Sequence, residues 1–344
     1  MAPATKRRRL AIVGLGMALK PHLKSLEELA GRVEIALCYT PSETRRKAFA
    51  ALHPYPLAAS LEQILADPSL EALLILTPPN THLDLVERAA RAGKHVLLEK
   101  PLDATVERAE RLVAAMERAR RRLGVVLQHR FRAVSRRLAA LVATGELGPL
   151  VSGSAAIRWW RPPEYFAEGG RGTKARDGGG VLLTQAIHTL DLFQSLAGPI
   201  AEVAAFAATS PLRRIDTEDV VGAAIRFGNG AIGTIDATTV AYPGFAERIE
   251  LACERATAVL AAESLEVHYK DGRRLSESGA PSLSGGADPM AFSNDAHRAL
   301  IADFLDAIEE GRDPLVSGRE ALKVQRLIEA LLRSSSLGRA VEVK

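Results

Sequence analysis

Apolar runs and amphipathic segments alternate along the first 128 residues, and each kind has its own period. Stretches with the continuous apolar character of buried strands are 9–14, 33–39, 70–77, 94–99 and 124–128. Stretches with the apolar spacing of helices are 20–31, 44–52, 81–93 and 106–122. Buried strands that alternate with helices are typical of a parallel sheet covered on both faces. The pattern predicts a doubly wound α/β domain over residues 1–128.

The pattern changes after about residue 150, where strand-like stretches follow one another with fewer helices between them. These stretches are 150–160, 200–210, 219–227, 231–240 and 247–253. The Asn229-Gly230 pair between two of them is typical of a tight hairpin turn, which favours antiparallel pairing. Two helices, over 296–310 and 318–334, follow. We predict a second, α+β domain over residues 129–344, and the alternative that its terminal helices pack back toward the first domain stays open.

Composition excludes several classes of function. No apolar run approaches the roughly 20 residues that a membrane span needs. The two cysteines, Cys38 and Cys253, cannot build a disulfide framework and lack the spacing of zinc ligands, so no metal is expected. The net charge is only +4, and aromatic residues do not interleave with the short arginine runs, which disfavours nucleic acid as a partner. No cleavage pattern follows the basic, then apolar, N-terminal stretch, so a cytoplasmic location is expected.

Glycines follow the first predicted strand and open the first predicted helix. Gly14 permits a tight turn, and Gly16 lets the backbone approach a pyrophosphate, as in a dinucleotide-binding fingerprint. Leu19 occupies the third glycine position, so the match is partial. A plain strand–turn–helix is the alternative, and the place of the motif in the first βαβ unit favours nucleotide binding.

The second predicted strand ends without the acidic residue that usually binds the ribose hydroxyls of NAD. Thr40 holds that place, Ser42 follows, and Arg45 and Arg46 lie one helical turn on. Hydroxyl groups beside guanidinium groups accept a 2′-phosphate, so the sequence favours NADP over NAD. Alternatively, both arginines are solvated helix residues.

The third and fourth strands run into polar segments at the same edge of the predicted sheet. The third strand is followed by residues 77–82, TPPNTH. The fourth strand is followed by Lys100 and Pro101 after its last residue, Glu99. Pro101 restricts Lys100 to an extended backbone. Glu99 either pairs with Lys100 or reaches the cofactor. The predicted cofactor-binding residues are Gly14, Gly16, Met17, Ala18, Thr40, Ser42, Arg45, Thr77, Pro78, Asn80, His82, Glu99, Lys100 and Gln128.

Three glycines lead into a predicted helix over residues 177–193, DGGGVLLTQAIHTLDLF. Helical spacing puts Thr184, His188 and Asp191 on one face. A histidine in an apolar helix is usually a core residue, but polar neighbours on the same face and the glycine-rich entry indicate a functional site.

The segment 157–180 is aromatic, basic and rich in glycine, and we expect it to overhang the ligand cleft between the two domains. Its aromatic side chains are expected to stack on a sugar ring, and its basic side chains to bind a carboxylate or phosphate. A mobile surface loop is the alternative. The stacking candidates are Trp159, Trp160, Tyr165 and Phe166, and the basic candidates include Arg161 and Arg171. The predicted substrate-binding residues are Thr184, Arg130, Tyr165, Arg171 and Gln185.

These motifs, in this order and spacing, resemble the Gfo/Idh/MocA family of NAD(P)-dependent oxidoreductases. The stretches that carry the resemblance are GLGMALKPH, TPPNTH, LLEKPL, GGGVLLTQAIHTLDL and the closing SGREALKVQRLIEALLRSSSLGRAVEV. The resemblance implies a Rossmann domain followed by a domain with a large, mainly antiparallel open sheet. It also implies a homodimer or homotetramer built through that sheet.

The resemblance further implies catalytic roles for Lys100, beside the nicotinamide and the reacting hydroxyl, and for His188, as acid–base. Thr184 stands where the family usually has Asp or Asn. The implied reaction transfers a hydride between NAD(P) and a secondary hydroxyl or ketone of a sugar, sugar acid, nucleotide sugar or cyclitol. Separately from the resemblance, the clustered basic residues of the segment 157–180 make an anionic sugar one candidate substrate. The alternatives are a catalytically silent nucleotide-binding sensor or partner-binding protein, and a reductase of non-sugar carbonyls or imines.

Overall fold

The computed structural model describes residues 7–167, 169–279 and 293–344. These residues form two compact units. The first comprises the described residues up to Val126 together with Asn294–Leu322, and the second comprises those from Leu127 to Ser293 together with Lys323–Lys344.

The first unit contains a five-stranded sheet in which every strand pairing is parallel. Its strands are β1 (Arg8–Val13), β2 (Val33–Tyr39), β3 (Ala72–Ile75), β4 (His95–Leu98) and β5 (Leu123–Val125), in the order β2-β1-β3-β4-β5. The helices between them are α1 (Leu19–Glu28), α2 (Glu43–Leu52), α3 (Leu61–Ala66), α4 (His82–Arg91) and α5 (Val106–Arg118). This confirms the predicted doubly wound parallel sheet. The chain order reverses between β1 and β3, and sheets of this kind bind ligands outside the carboxyl ends of the strands at that point.

The second unit is built on a nine-stranded sheet with one parallel pairing, β6 with β9, among the strands that the structure describes. Its strands are β6 (Leu150–Arg158), β7 (Ile200–Ala208), β8 (Val220–Phe227), β9 (Ile232–Thr238), β10 (Arg248–Cys253), β11 (Ala256–Ala261), β12 (Ser264–Tyr269), β13 (Arg274–Ser278) and β14 (Val341–Glu342). Their order is β13-β12-β11-β10-β6-β9-β8-β7-β14. The remaining helices of the chain are α6 (Ala133–Ala143), α7 (Lys174–Asp177), α8 (Ile187–Ala197), α9 (Asp295–Glu310) and α10 (Gly318–Leu337). The predicted mainly antiparallel sheet is confirmed, and α9 belongs to the first unit.

The sequence reading overlooked three consecutive strands, β11 to β13. Each has only five or six residues with alternating burial, and a Lys270-Asp271-Gly272 turn separates the last two. Alternation over so short a stretch is a weak signal in isolation, although the turn was available as a marker of a hairpin.

Both cysteines are free and buried. Burial raises the pKa of the Cys38 thiol to about 12, so this sulfur stays protonated and unreactive near neutral pH. Within the described part of the chain, no helix combines the length and apolar character required to cross a membrane.

Candidate active site

The loop after β1 has the backbone geometry of a phosphate-binding turn. Gly14 has φ +106°, and a Cβ there would lie 2.7 Å from the carbonyl carbon of Leu76. A Cβ on Gly16 would meet nothing within 4 Å, so the space beside it is open. Ala18, the N-cap residue of helix α1, provides no side-chain cap, whereas Ser42 caps α2. The uncapped first turn and open glycine therefore fit the diphosphate of a dinucleotide.

The loop after β2 uses its two arginines differently. Arg46 donates to the main-chain carbonyls of Thr40, at 2.6 Å, and Pro41, at 3.1 Å, so its guanidinium shapes the loop. Arg45 is exposed, and its N–H donates to the Ser42 hydroxyl at 3.3 Å. Thr40 is buried. Of the two arginines, only Arg45 offers an exposed charge at this end of the strand.

His82, predicted as a cofactor residue, is fully buried and joins two loops of the site. Its Nε2 lies 2.8 Å from the carbonyl oxygen of Thr77, and its Nδ1 lies 3.0 Å from that of Pro101. Burial lowers the pKa of His82, and the contacts with these carbonyls oppose that effect without overcoming it. The ring therefore ties the loop after β3 to the loop after β4. The other predicted residues of the first loop, Pro78 and Asn80, are exposed.

Glu99 is placed to organise the backbone of Lys100. Its Oε1 accepts a hydrogen bond from His22 Nε2 at 2.7 Å, and its Oε2 accepts one from the main-chain N–H of Lys100 at 3.0 Å. Burial raises the pKa of Glu99, but the hydrogen bond and charge of His22, with the charges of Lys100 and His297, outweigh it, and the net pKa is lowered. The carboxyl group is therefore ionised near neutral pH. Sequence reasoning missed His22, although it lies within the GLGMALKPH motif.

The nitrogen and oxygen atoms that His22, Glu99 and His297 could offer to a metal lie within 4.8 Å of one another. The 2.7 Å between His22 Nε2 and Glu99 Oε1 is the length of a hydrogen bond. Two ligands of one tetrahedral zinc would lie about 3.3 Å apart. In this arrangement His22 and Glu99 are hydrogen bonded, and the His297 ring packs edge to face against the His22 ring.

In the second unit, His188 lies on α8, directly after a π-helical stretch, Leu182–Ala186. Such wide turns are frequent at functional sites. The half-buried His188 ring lies against that of His129, with centroids 5.1 Å apart. The Thr184 hydroxyl donates to the Gly180 carbonyl at 2.6 Å. Its single proton points to an acceptor of the same helical stretch, this carbonyl or Gln185 Oε1, so Thr184 does not relay protons as a carboxylate would.

Glu218 holds the first turn of this helical stretch. Its carboxylate accepts from the main-chain N–H groups of Gly180 and Leu182, each at 3.1 Å, and its carbonyl accepts from Val181 at 2.8 Å. A Cβ on Gly180 would lie 1.8 Å from that carbonyl oxygen. Burial raises the pKa of Glu218 more than these hydrogen bonds lower it. Gly180, the last of the three glycines, is therefore required by the close approach of Glu218, which the sequence motif did not reveal.

Arg130, predicted to bind an anionic substrate, instead forms a bidentate pair with Asp191, at 2.7 and 2.6 Å. The Asp191 side chain is 1% exposed and that of Arg130 11%, so this pair is nearly dry. The guanidinium is committed to bracing α8, which corrects the expectation of an open charge there. Nearby, Arg132 donates to His129 Nε2 at 2.8 Å. Because a guanidinium only donates, the proton of His129 lies on Nδ1.

Four of the five predicted substrate-binding residues are linked in one chain of contacts. Thr184 is hydrogen bonded to Gln185, and Gln185 Nε2 donates to the Tyr165 hydroxyl at 3.2 Å. The Arg171 guanidinium lies over the Tyr165 ring, 4.4 Å from its centroid. The helix and the aromatic loop thus combine hydroxyl, amide and cationic groups within the second unit.

Two other candidates from the aromatic loop do not face a ligand. Trp159 and Arg161 are both buried. The Arg161 guanidinium lies 5.1 Å from the Trp159 ring centroid and donates to the Trp160 carbonyl at 3.0 Å. The expectation that Trp159 stacks on a sugar and Arg161 binds an anion was wrong, because both side chains are buried against neighbouring residues.

Gln128, also predicted to bind the cofactor, has a buried Oε1 without a hydrogen-bond partner among the described residues. An unsatisfied buried acceptor is costly, so a bound donor at this position is favoured.

Comparison with known families agrees with this geometry. Residues 8–127 match the model described as oxidoreductase family, NAD-binding Rossmann fold, and residues 135–259 match the GFO/IDH/MocA C-terminal domain. The chain belongs to the Gfo/Idh/MocA family of oxidoreductases. Its first unit carries the NAD-binding Rossmann fold of that family.

Relatives of this family align over most of the chain. D-apiose dehydrogenase of Paraburkholderia graminis is 28% identical over 98% of this chain and 90% of its own length. D-xylose 1-dehydrogenase (NADP(+)) 2 of Haloferax volcanii is 27% identical over 95% and 97%. Among solved structures, the WlbA dehydrogenase of Bordetella pertussis, in complex with NADH and UDP-GlcNAcA, is 28% identical. It covers 98% of this chain and 99% of its own, with a TM-score of 0.84.

Proposed function

We propose that this protein is an NAD(P)-dependent dehydrogenase that acts on a CH–OH group of a sugar, sugar acid, nucleotide sugar or cyclitol. The observation that carries the proposal is the placement of Lys100. It follows a strand of an NAD-binding sheet at its carboxyl edge, on a backbone held by the Glu99 carboxylate. The relatives named above support the substrate class, since each is a dehydrogenase whose name or bound ligand is carbohydrate-like.

We propose that the loops of the first unit hold the cofactor, with the diphosphate beside Gly16 and the first turn of α1. The Gly14 N–H instead donates to the Tyr39 carbonyl at 2.8 Å and shapes the turn. We favour NADP, because Thr40 replaces the acidic residue and the exposed Arg45 beside Ser42 suits a 2′-phosphate. The NADP(+)-dependent relative from Haloferax volcanii supports this choice. When bound, NAD(P) would supply the redox chemistry as the hydride acceptor or donor.

The chain's own groups handle the substrate oxygen and its proton. The Lys100 ammonium donates a hydrogen bond to that oxygen and stabilises the negative charge that develops on it. A ring nitrogen of His188 accepts the hydroxyl proton during oxidation, because imidazole exchanges protons readily near neutral pH. Thr184 directs its own proton to the Gly180 carbonyl or to Gln185 Oε1 and accepts a hydrogen bond from a second substrate hydroxyl.

We propose that the substrate carries a carboxylate or phosphate. Arg171 supplies the charge, held against the Tyr165 ring at 4.4 Å, and Gln185 fixes the Tyr165 hydroxyl.

We also propose that the protein forms a homodimer or homotetramer. Phe206, Val220 and Ile232 are exposed on β7, β8 and β9, and the strand register puts them on the same face of the sheet. The side chain of Phe206 is 84% exposed. Apolar side chains grouped on one sheet face are typical of an association surface.

The test is a panel of sugars, uronates, nucleotide sugars and cyclitols, each with NAD and NADP, followed at the nicotinamide absorbance. Lys100→Met and His188→Asn are expected to lower kcat by about 10²–10⁴-fold while cofactor affinity, measured by fluorescence, is kept. Lys270→Met and His268→Asn, at exposed positions, are matched controls expected to retain activity. Tight cofactor binding with no turnover on any substrate would reject the proposal in favour of a nucleotide-binding sensor.

A further inference from the structure

Beside the Lys100 backbone, within the first unit, three side chains from separate parts of the chain contact one another. His22 comes from α1, Glu99 follows β4, and His297 comes from α9. The two imidazole rings meet edge to face, with centroids 5.0 Å apart and planes at 89°. Both rings are buried, so solvent does not compete for their contacts.

The direction of each hydrogen bond follows from the chemistry of the groups. An ionised carboxylate only accepts, so the proton between His22 and Glu99 lies on His22 Nε2. The second oxygen of Glu99 accepts from the Lys100 main chain. The carboxylate therefore bridges helix α1 and the peptide that carries the Lys100 side chain.

Helix α9 is tied to α1 next to this group. The Ser25 hydroxyl, on α1, lies 3.3 Å from the Asn294 carbonyl, and Asn294 Nδ2 lies 3.3 Å from the same hydroxyl. Both residues are buried. This contact fixes the start of α9, and with it His297, beside the His22 ring.

We infer that His22 and His297 are positioning residues that act on the reaction through Glu99 and the Lys100 backbone. His297 holds the plane of the His22 ring, and His22 holds one oxygen of Glu99, which leaves the other oxygen aligned with the Lys100 N–H. The titratable groups facing Glu99 are His22, His297 and Lys100. The inference rests on the proposed function only in that Lys100 is taken to act on substrate.

The first readout needs no substrate. In protein labelled with 15N-lysine, hydrogen exchange of the Lys100 amide is followed by NMR, with the peak assigned by its loss in Lys100→Arg. We expect His22→Leu to speed this exchange at least 10-fold and His22→Gln, whose amide nitrogen can replace Nε2 as donor, to restore it. The Lys94 amide, which donates to the Ala89 carbonyl at 3.0 Å, is the internal reference and should not change.

The second readout is kinetic. His22→Leu is expected to lower kcat by about 10-fold with KM and cofactor affinity unchanged, and His22→Gln to recover most of the loss. His297→Phe keeps a ring against His22 and should retain kcat, whereas His297→Leu should lose several-fold. If His22→Leu does not fold, the inference is tested by comparing His297→Phe with His297→Leu and His22→Gln with the wild type.

Unchanged Lys100 exchange and unchanged kcat in the folded leucine variants would overturn the inference. Equal impairment of His22→Leu and His22→Gln would also overturn the inference, because a hydrogen-bond donor at that position would then be irrelevant. Failure of the proposed function looks different, because wild-type protein would show no turnover while the exchange measurement would still decide the positioning role.

Discussion

His95, at the start of β4, is the group through which mild acid should weaken the first unit. Its Nδ1 accepts the main-chain N–H of Arg122 at 2.9 Å, which holds the ring in its neutral form. Burial lowers the pKa of His95 to about 4, helped by the charges of Arg121, Arg8 and Arg122 and opposed by Glu71.

The size of the effect follows from the two pKa values. In the unfolded chain the imidazole of His95 has its ordinary pKa of 6.5. Between pH 6.5 and 4 the unfolded state therefore binds a proton that the folded state does not bind. The stabilisation by the neutral ring is complete above pH 6.5 and is lost as the pH falls through about 4. At 1.36 kcal/mol per pH unit, the loss is at most about 3 kcal/mol.

The perturbation that tests this is His95→Asn, whose side-chain oxygen can accept the Arg122 N–H and does not titrate. Urea unfolding of both proteins at pH 7 and pH 4 gives their free energies of unfolding. We expect the stability of the wild type relative to the variant to fall by about 3 kcal/mol between the two pH values. Histidine NMR titration should also place the His95 midpoint near pH 4. A relative stability that stays constant within about 0.5 kcal/mol, with unchanged m-values, would refute the reasoning.

Two further predictions concern the second unit. Gly180→Ala places a Cβ 1.8 Å from the Glu218 carbonyl oxygen, so we expect a loss of at least about 2 kcal/mol in unfolding free energy and a kcat at least 10-fold lower. Gly169→Ala, where a Cβ meets nothing within 4 Å, is the control and should match wild type; a fully active Gly180→Ala would contradict the packing argument. Phe206→Lys puts a charge on the exposed apolar sheet face and should lower the mass measured by light scattering toward that of one chain. If Phe206→Lys keeps the mass of the wild type even on dilution, this face is not part of the association surface.

Local features of the chain were predictable because they depend on neighbouring residues. Apolar periodicity located the five parallel strands to within a few residues. Gly14 was assigned to a tight turn, and its φ of +106° is one that other residues rarely adopt. The antiparallel character of the second sheet followed from closely spaced strands, and only the short strands β11 to β13 escaped notice.

The partners of the site residues were not predictable, because distant segments supply them. His22 and Glu99 are 77 residues apart, Arg130 and Asp191 are 61 apart, and Gly180 and Glu218 are 38 apart. Sequence pattern identified Arg130 as a charge available to substrate, and the folded unit paired it with Asp191. Trp159, predicted to stack on a ligand, is buried in the folded unit.

The sequence by itself determined the alternation of strands and helices in the first unit, the turn at Gly14, and the candidates Lys100 and His188, since backbone sterics and side-chain period act over a few residues. The tertiary structure decided which polar groups are occupied and which remain for a ligand. Burial removes water as a hydrogen-bond partner, so each buried charge must be satisfied by whatever group the fold brings to it. For this reason Glu99 came to hold the Lys100 backbone, and Arg130 came to support the helix that carries His188.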